Sequence, residues 1–329
     1  MEKTLSIIIP AYNVSSFIEQ GLDSLINDRS ILPLLDIIIV NDGSNDNTLE
    51  IINKYKFRFP ESITVIDKEN GGHGSGINIG IKNAKGTYLK VLDGDDWFNT
   101  EGLIQLIYFI ETCLEYPDII VNPYKKVWED GKIETVSYPE IKEGITVGYA
   151  EVNKFGYTLS LPSITIRSDI FRLNNIPDID EKISYDDMEY ILYPVPYINK
   201  IVFLKKTIYE YRLGLSGQSM NLMQMIKRLP MHTRVVDALA DYYDKHKTIF
   251  NSEAANYYIN EFVNTFATNF QLRLLSGIDK QEMITFVKKY NSFPLKSAKN
   301  KKMRLLLNIN FIGFTFIQRL ALKRVKVNR

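Results

Sequence analysis

Tyr88-Leu89-Lys90-Val91-Leu92-Asp93-Gly94-Asp95-Asp96-Trp97 decides the fold class. Its first half is a short run with β-branched and aromatic bias, which reads as a buried strand. The run stops in three carboxylates within four residues, and Gly94 permits a sharp turn there. Anionic side chains crowded at a strand end repel one another unless a cation sits among them. Hard oxygen donors of this kind suit Mg²⁺ or Mn²⁺, which in turn bridges to the phosphates of a substrate. An isolated Asp-x-Asp is equally an ordinary acidic turn, so the neighbouring segments carry the weight.

Upstream, three similar units precede it. Leu5-Ser6-Ile7-Ile8-Ile9-Pro10 leads into Tyr12 and Asn13, and a helical pattern follows through Phe17, Leu22, Leu25 and Ile26. Ile37-Ile38-Ile39-Val40 ends in Asn41-Asp42-Gly43-Ser44, and a helix is expected from Asn47 through Tyr55. Ile63-Thr64-Val65-Ile66 leads into Gly71-Gly72-His73-Gly74-Ser75-Gly76, with Ile77, Ile81 and Ala84 on one helical face. Continuous apolar runs alternating with helices imply parallel strands buried on both faces, in a doubly wound α/β sheet. Ligands bind beyond the carboxyl ends of such strands, which is where all four polar or glycine-rich segments fall. The convergence points to a nucleotide-type site. Taken singly, each segment has a plainer reading: Asp42 as a turn residue, the glycines as a tight connection, His73 as a structural histidine. The glycine segment fits neither the dinucleotide fingerprint nor the P-loop.

Ser6-Ile7-Ile8-Ile9-Pro10-Ala11-Tyr12-Asn13, Val40-Asn41-Asp42-Gly43-Ser44 with Asp46 and Thr48, Asn70-Gly71-Gly72 with Asn78 and Gly80, and Leu92-Asp93-Gly94-Asp95-Asp96 together resemble family 2 of the nucleotide-sugar glycosyltransferases. The resemblance spans roughly residues 4–215 and implies the GT-A fold. It implies that Pro10, Ala11, Tyr12 and Asp42 hold the nucleoside, usually uridine, with Asn13, Gly71, Gly72 and Gly94 on the same donor side. Asp93 would reach the ribose or the metal, and Asp95 would ligate Mn²⁺ or Mg²⁺. One departure is visible: many relatives have Ala-Arg-Asn where Ile77 precedes Asn78, so no arginine reaches a phosphate from this position.

Downstream, Leu103, Leu106, Ile107 and Ile110 share a helical face, and Ile119-Ile120-Val121 reads as a strand. Residues 124–138, split by Asp130-Gly131, read as a β-hairpin flanking an acceptor cleft. Pro162–Arg167 reads as another strand, with Ser168 capping a short helix. In Ser184-Tyr185-Asp186-Asp187-Met188-Glu189-Tyr190, the resemblance assigns Asp187 as the general base, with Trp97, Tyr185 and Asp186 on the acceptor side. Independently, transfer with inversion needs a carboxylate to take the acceptor proton. The competing reading is helix-dipole stabilisation by acids in a first turn. Tyr209-Glu210-Tyr211-Arg212 resembles the family's closing segment, where Arg212, followed by the Gly-Ser loop 214–219, would stabilise a diphosphate; an ordinary ion pair is the alternative.

From Met223 the pattern is helical, with Tyr258, Phe262, Phe266 and Phe270 as core, Ser252 opening a helix and Gly277 stopping it. Residues 296–329 hold ten Lys or Arg and no acid, which leaves 30 basic against 39 acidic residues upstream although the net charge is only +1. Leu305, Ile309, Ile312, Phe316 and Leu320 recur at helical spacing within that basic stretch. This pattern fits an in-plane helix on an anionic membrane, with dimerisation or packing on the acidic body as alternatives. No recognition motif or stacking platform accompanies the charge, so no nucleic-acid partner is expected.

The expected organisation is therefore a catalytic domain at 1–218, a helical subdomain at 219–295 and a membrane-associating tail at 296–329. With 45% hydrophobic and 24% charged residues the composition is that of an ordinary globular protein. The lone Cys113 excludes an internal disulfide or a cysteine metal cluster. Neither a leader pattern nor an apolar stretch long enough to span a bilayer is seen, so the expected location is the cytoplasm, at the inner face of a bacterial plasma membrane. The implied reaction is inverting transfer from a UDP-sugar to a hydroxyl of a glycan or lipid-linked acceptor, in cell-surface polysaccharide or teichoic acid synthesis. A sugar nucleotidyltransferase and a non-catalytic scaffold are the other readings, the former disfavoured because Pro10-Ala11-Tyr12-Asn13 stands where its glycine loop belongs.

Overall fold

The four apolar runs form β1 (Leu5–Ala11), β2 (Leu35–Asp42), β3 (Ile63–Lys68) and β4 (Tyr88–Val91). The computed structural model describes residues 2–214 and 222–327, with side chains as far as residue 322. Every residue of β1, β2 and β4 is buried. These strands lie in an eight-stranded sheet of order β3-β2-β1-β4-β10-β6-β11-β9. Here β6 is Ile119–Val121, β9 Thr146–Val147, β10 Ile164–Arg167 and β11 Ile201–Phe203. Pairing is parallel from β3 to β4 and between β6 and β11, whereas β10 and β9 run antiparallel to their neighbours. The carboxyl ends of β1 to β4 consequently share one edge.

Helices α1 (Ile18–Ile26), α2 (Thr48–Arg58), α3 (His73–Asn83) and α4 (Thr100–Thr112) follow strands of this first half. The small residues at the start of α3 have a packing cause. A Cβ on Gly80 would stand 2.2 Å from Ile8 Cγ2, and one on Gly76 would stand 3.0 Å from Pro10 Cβ. Glycine at these two positions, one helical turn apart, brings α3 directly onto β1. At α4 the Asn99 side chain accepts the Gly102 N–H, an N-cap of about 1 kcal/mol.

A second sheet has order β5-β12-β7-β8, built from β5 (Trp97–Phe98), β7 (Tyr124–Trp128), β8 (Ile133–Val136) and β12 (Tyr209–Leu213). The hairpin expected at 124–138 is β7 and β8, with Tyr124 opposite Val136. Pro162 and Ser163 lie in a short 3₁₀ turn before β10. Ser168 is not a cap: it is the first residue of α6 (Ser168–Leu173), and its hydroxyl donates to Gly86 O at 2.6 Å. Two further short helices, α5 (Tyr149–Phe155) and α7 (Asp187–Leu192), complete this part.

The chain divides into two compact units, Met1–Ser216 and Gly217–Arg329. The second unit contains α8 (Leu222–Lys227), α9 (Leu229–His246), α10 (Ser252–Ser276), α11 (Lys280–Lys289), α12 (Lys301–Asn308) and α13 (Phe314–Val327). Ser252 opens α10 as expected, Asn251 caps it, and Gly277 ends it in the left-handed region. Its aromatic core is packed ring on ring, Phe262 against Phe293 at 3.9 Å and Phe266 against Phe286 at 5.0 Å.

The single helical stripe expected over 305–320 is broken. Asn310, Phe311 and Gly313 have positive φ and separate α12 from α13. Met303, Leu306, Phe311 and Phe314 turn inward, with Phe311 6.4 Å from Phe270, while Leu305, Ile312, Phe316 and Leu320 remain exposed. Among the described residues no helix is long and apolar enough to cross a membrane.

Candidate active site

The three carboxylates after β4 do different things. Asp96 turns inward: its Oδ2 accepts the Tyr209 hydroxyl at 2.7 Å and its Oδ1 accepts the Arg212 N–H at 2.7 Å. Burial, then the charges of Asp93 and Asp95, push its carboxyl well above the ordinary range. Asp93 Oδ1 lies 3.0 Å from His73 Nε2. Asp95 has no hydrogen-bonded side-chain partner among the described residues, and burial followed by the Asp93 charge raises its carboxyl. The turn closes through Asp96 N–H to Asp93 O at 3.0 Å. Gly94 fits because a Cβ there would stand 3.0 Å from Pro10 O.

At the end of the first strand, Pro10 and Ala11 are the last residues of β1, and Tyr12 projects beyond it, 48% exposed. Asn13, at φ 53°, accepts the Asn45 N–H at 2.8 Å and donates its own N–H to Ser44 Oγ at 3.0 Å, which ties the ends of β1 and β2 together. Asp42 is buried. Its Oδ1 accepts Lys68 Nζ at 2.6 Å and Gly71 N–H at 2.8 Å, and its Oδ2 accepts Gly72 N–H at 2.7 Å. The amides of Gly71 and Gly72 are thus turned to Asp42. Arg212 donates through Nε to Asp95 O at 2.8 Å and through Nη2 to Gln20 Oε1 at 2.6 Å. Its guanidinium carbon stands 4.6 Å from the Trp97 ring centre and 5.0 Å from that of Phe17. Such cation–π contacts contribute about 0.5–2 kcal/mol each.

Across from the carboxylate turn, Tyr185 adopts φ 74°, a left-handed conformation that costs a bulky residue about 1–3 kcal/mol. Asp186 is buried, with Oδ2 2.9 Å from His73 Nδ1. Burial alone would favour a neutral His73 ring, but the Asp186 and Asp93 carboxylates outweigh it and hold the imidazole well above its ordinary value. Asp187 is the first residue of α7 and has no hydrogen-bonded side-chain partner among the described residues. Burial, then the charges of Asp186 and Asp93, push it up to about 6, with His73 opposing them. A helix N-terminus would push the other way, so desolvation and like charge win over the dipole here. Glu189 is pushed up to about 7 by burial, and its Oε2 accepts the Asp180 N–H at 2.7 Å.

The structure therefore brings Asp93, Asp186 and His73 into one cluster flanked by Asp95 and Asp187. It adds contacts that the sequence did not show: Lys68 on Asp42, Tyr209 on Asp96, Gln20 on Arg212. The Lys68 signal was in the strand register, which sets Asp42 opposite Lys68. The expected loop after Gly214 lies outside the described residues from 215 to 219. Among the described residues no three His, Cys, Asp or Glu side chains converge as a complete metal site. The residues nevertheless fit a hard divalent cation: Asp95 offers an oxygen donor without a hydrogen-bonded side-chain partner among the described residues, two positions from the Asp93 carboxylate, and Mg²⁺ or Mn²⁺ bound with a diphosphate needs only one or two carboxylates.

Residues 6–158 match the family described as Glycosyl transferase family 2. A glycosyltransferase of Mycoplasma pneumoniae is 29% identical over 226 residues, covering 68% of this chain and 73% of the relative. The poly(ribitol-phosphate) β-N-acetylglucosaminyltransferase TarS of Staphylococcus aureus is 26% identical over 216 residues, 66% of this chain and 36% of that enzyme. The crystal structure of TarS 1–349 with UDP-GlcNAc superposes with TM-score 0.55 at 22% identity, over 83% of this chain and 86% of that one. GalNAc-T7, solved with UDP, GalNAc and Mn²⁺, superposes with TM-score 0.50 at 17% identity, over 89% of this chain and 55% of that one. With the strand order, the carboxylate turn after β4 and the sequence match in agreement, residues 6–158 carry the glycosyltransferase family 2 pattern and the chain has the GT-A fold.

Proposed function

We propose that the protein transfers a sugar from a UDP-sugar to a hydroxyl group of a glycan or lipid-linked acceptor, with inversion at the anomeric carbon, in the synthesis of a bacterial surface polymer of the teichoic acid type. The observation that carries this reading is Asp187, a carboxylate held near 6 without a side-chain partner and set across from the carboxylate turn. In one displacement Asp187 takes the acceptor proton, the acceptor oxygen bonds to the anomeric carbon, and the bond from that carbon to the diphosphate breaks, releasing UDP. Pro10, Ala11, Tyr12 and Asp42 hold the nucleoside, and Arg212 flanks the diphosphate from its place over Trp97. Asp95, with Asp93 beside it, holds Mn²⁺ or Mg²⁺, which when bound offsets charge on the leaving diphosphate.

The acceptor class is supported by two things: relatives that act on poly(ribitol-phosphate), and the tail chemistry. The exposed Leu305, Ile312, Phe316 and Leu320 lie in a segment with ten basic residues and no acid, a combination suited to the inner face of an anionic membrane where lipid-linked acceptors reside.

The test is a panel of nucleotide sugars, with Mn²⁺, Mg²⁺ or EDTA, followed by UDP release and by label transfer to poly(ribitol phosphate). Metal-dependent use of one UDP-sugar, abolished by Asp95→Ala, is expected. Binding of no nucleotide sugar under any of these conditions would remove the reading. Transfer retained by Asp187→Asn would remove only its role as base.

A further inference from the structure

The glycine segment at the start of α3, whose Gly71 and Gly72 amides hold Asp42, also receives contacts from the chain that leads into α7. Lys182 donates its N–H to Gly71 O at 2.7 Å. Asn78 Nδ2 donates to Ile179 O at 2.8 Å, and Asn78 Oδ1 accepts the Ile179 N–H at 2.9 Å. Lys82 pairs with Asp178 at 2.6 Å. The glycines are small because this stretch of chain lies on them: a Cβ on Gly72 would stand 2.9 Å from Lys182 N, and one on Gly74 would stand 2.6 Å from Asp180 O. Residues 178–186, which lead into Asp187, are thus laced to Gly71 and along α3 as far as Lys82.

That stretch needs holding. Lys182 at φ 57° and Tyr185 at φ 74° are both left-handed without being glycine, a conformation that persists only where surroundings over-determine it. Most of the lacing ends on α3 itself. His73 differs, because its ring continues to the other side of the site, with Nδ1 2.9 Å from Asp186 Oδ2 and Nε2 3.0 Å from Asp93 Oδ1. Both partners are carboxylates. The ring thus stands between two carboxylates, with one nitrogen within hydrogen-bonding distance of each. No amide or hydroxyl side chain offers two donors at opposite ends of a rigid ring.

We propose that His73 is a positioning residue that couples the acceptor-side segment 179–187 to the donor-side carboxylate turn, so that Asp187 faces the acceptor hydroxyl in a fixed place and the sugar goes to the acceptor in preference to water. The glycine segment is then a seat for the acceptor-side chain. The catalytic half of this inference rests on the glycosyltransferase reading; the mechanical half does not. Losing a strut that fixes a reacting group by about 1 Å costs on the order of 100-fold in rate. Water is small and tolerates a displaced Asp187 better than a bulky acceptor does, so hydrolysis falls less than transfer.

The experiment compares wild type, His73→Ala and His73→Gln as full chains. Hydrogen exchange is followed at the amides of Ile179, Asp180 and Lys182, UDP affinity by titration, and UDP-GlcNAc turnover both to water and to poly(ribitol phosphate). His73→Ala is expected to speed exchange at those three amides, leave UDP affinity within about threefold, and lower transfer by about 10- to 100-fold while raising the ratio of hydrolysis to transfer. His73→Gln, which keeps one of the two links, falls between; if the alanine variant does not fold, the glutamine variant is read by the same criteria. Unchanged exchange at 179–182 overturns the coupling outright, whatever the activities do. Faster exchange with hydrolysis and transfer falling in equal proportion overturns the positioning role. A wild type that binds no UDP-sugar counts against the glycosyltransferase reading and against the catalytic half, and the exchange data still decide the mechanical half.

Discussion

The hydroxyl of Tyr209 joins two residues of the carboxylate turn, donating to Asp96 Oδ2 at 2.7 Å and accepting the Asp93 N–H at 3.1 Å. One phenol thereby sets which way the buried Asp96 faces and where Asp93 begins. Tyr209→Phe removes both bonds and leaves a buried carboxylate short of a donor. A loss of about 1–3 kcal/mol is expected, read as a lowered midpoint in urea with an unchanged slope. Nucleotide affinity should fall with it, since Asp95 rides on the same turn. A variant as stable as wild type would show that Asp96 finds its second donor elsewhere.

The raised Asp187 carboxyl has two consequences of opposite sign. A general base works deprotonated, so transfer should rise with pH through about 6 and level off above it. For stability, the folded chain holds this proton more tightly than an unfolded chain with the ordinary value of 3.8, so the residue's contribution declines as pH climbs from about 4 through about 6. Asp187→Asn carries no such penalty. It should melt a few degrees higher than wild type at pH 8, at roughly 2–4 °C per kcal/mol, and converge with it near pH 4. Thermal scans at the two pH values check this, and a variant that melts lower at pH 8 contradicts it.

Gly80→Ala tests the seating of α3. The added methyl would meet Ile8 Cγ2 at 2.2 Å, in the middle of a strand buried along its whole length. Overpacking of this kind costs about 1–3 kcal/mol, expected here as a drop in the thermal midpoint. Gly277→Ala has nothing within 4 Å of its Cβ but a φ of 86°, so it isolates backbone strain from crowding in the same assay.

The tail predicts salt-sensitive binding to vesicles containing anionic lipid and none to neutral ones. Replacing Ile312 and Phe316 by Ser should weaken sedimentation with anionic vesicles and leave the midpoint of unfolding unchanged, because both side chains are exposed. Each basic residue near such a surface contributes about 1 kcal/mol, so Lys301→Glu with Lys302→Glu should weaken it further. Equal sedimentation with neutral vesicles would contradict an electrostatic contact.

The sheet was legible because strands buried on both faces must be apolar without interruption, and Leu5–Ile9, Ile37–Val40 and Tyr88–Leu92 are nearly so. The position of the site was legible for the same reason, since strand ends gather on one edge. What each acid does there was not. Asp93, Asp95 and Asp96 are interchangeable letters until Tyr209 and Arg212, more than a hundred residues later, take hold of one of them. The amides of Gly71 and Gly72 turn to Asp42, and a glycine run states only that the backbone is free to turn. The tail's regular spacing concealed a break, because left-handed Asn310 and Phe311 leave no mark in a hydrophobic pattern.

The pairing of β5 with β12 also imposes an order of assembly. A chain emerging from the ribosome can zip β1, β2, β3 and β4 together from contacts close in sequence, well before residue 158, where the family's sequence pattern ends. The Asp96 carboxylate stays untethered until Tyr209 and Arg212 have been made and β12 has docked beside β5. Closing a loop of that length is an entropic toll that only a finished second sheet recovers, so the site is set last. A half-made chain would possess the sheet without the finished carboxylate turn.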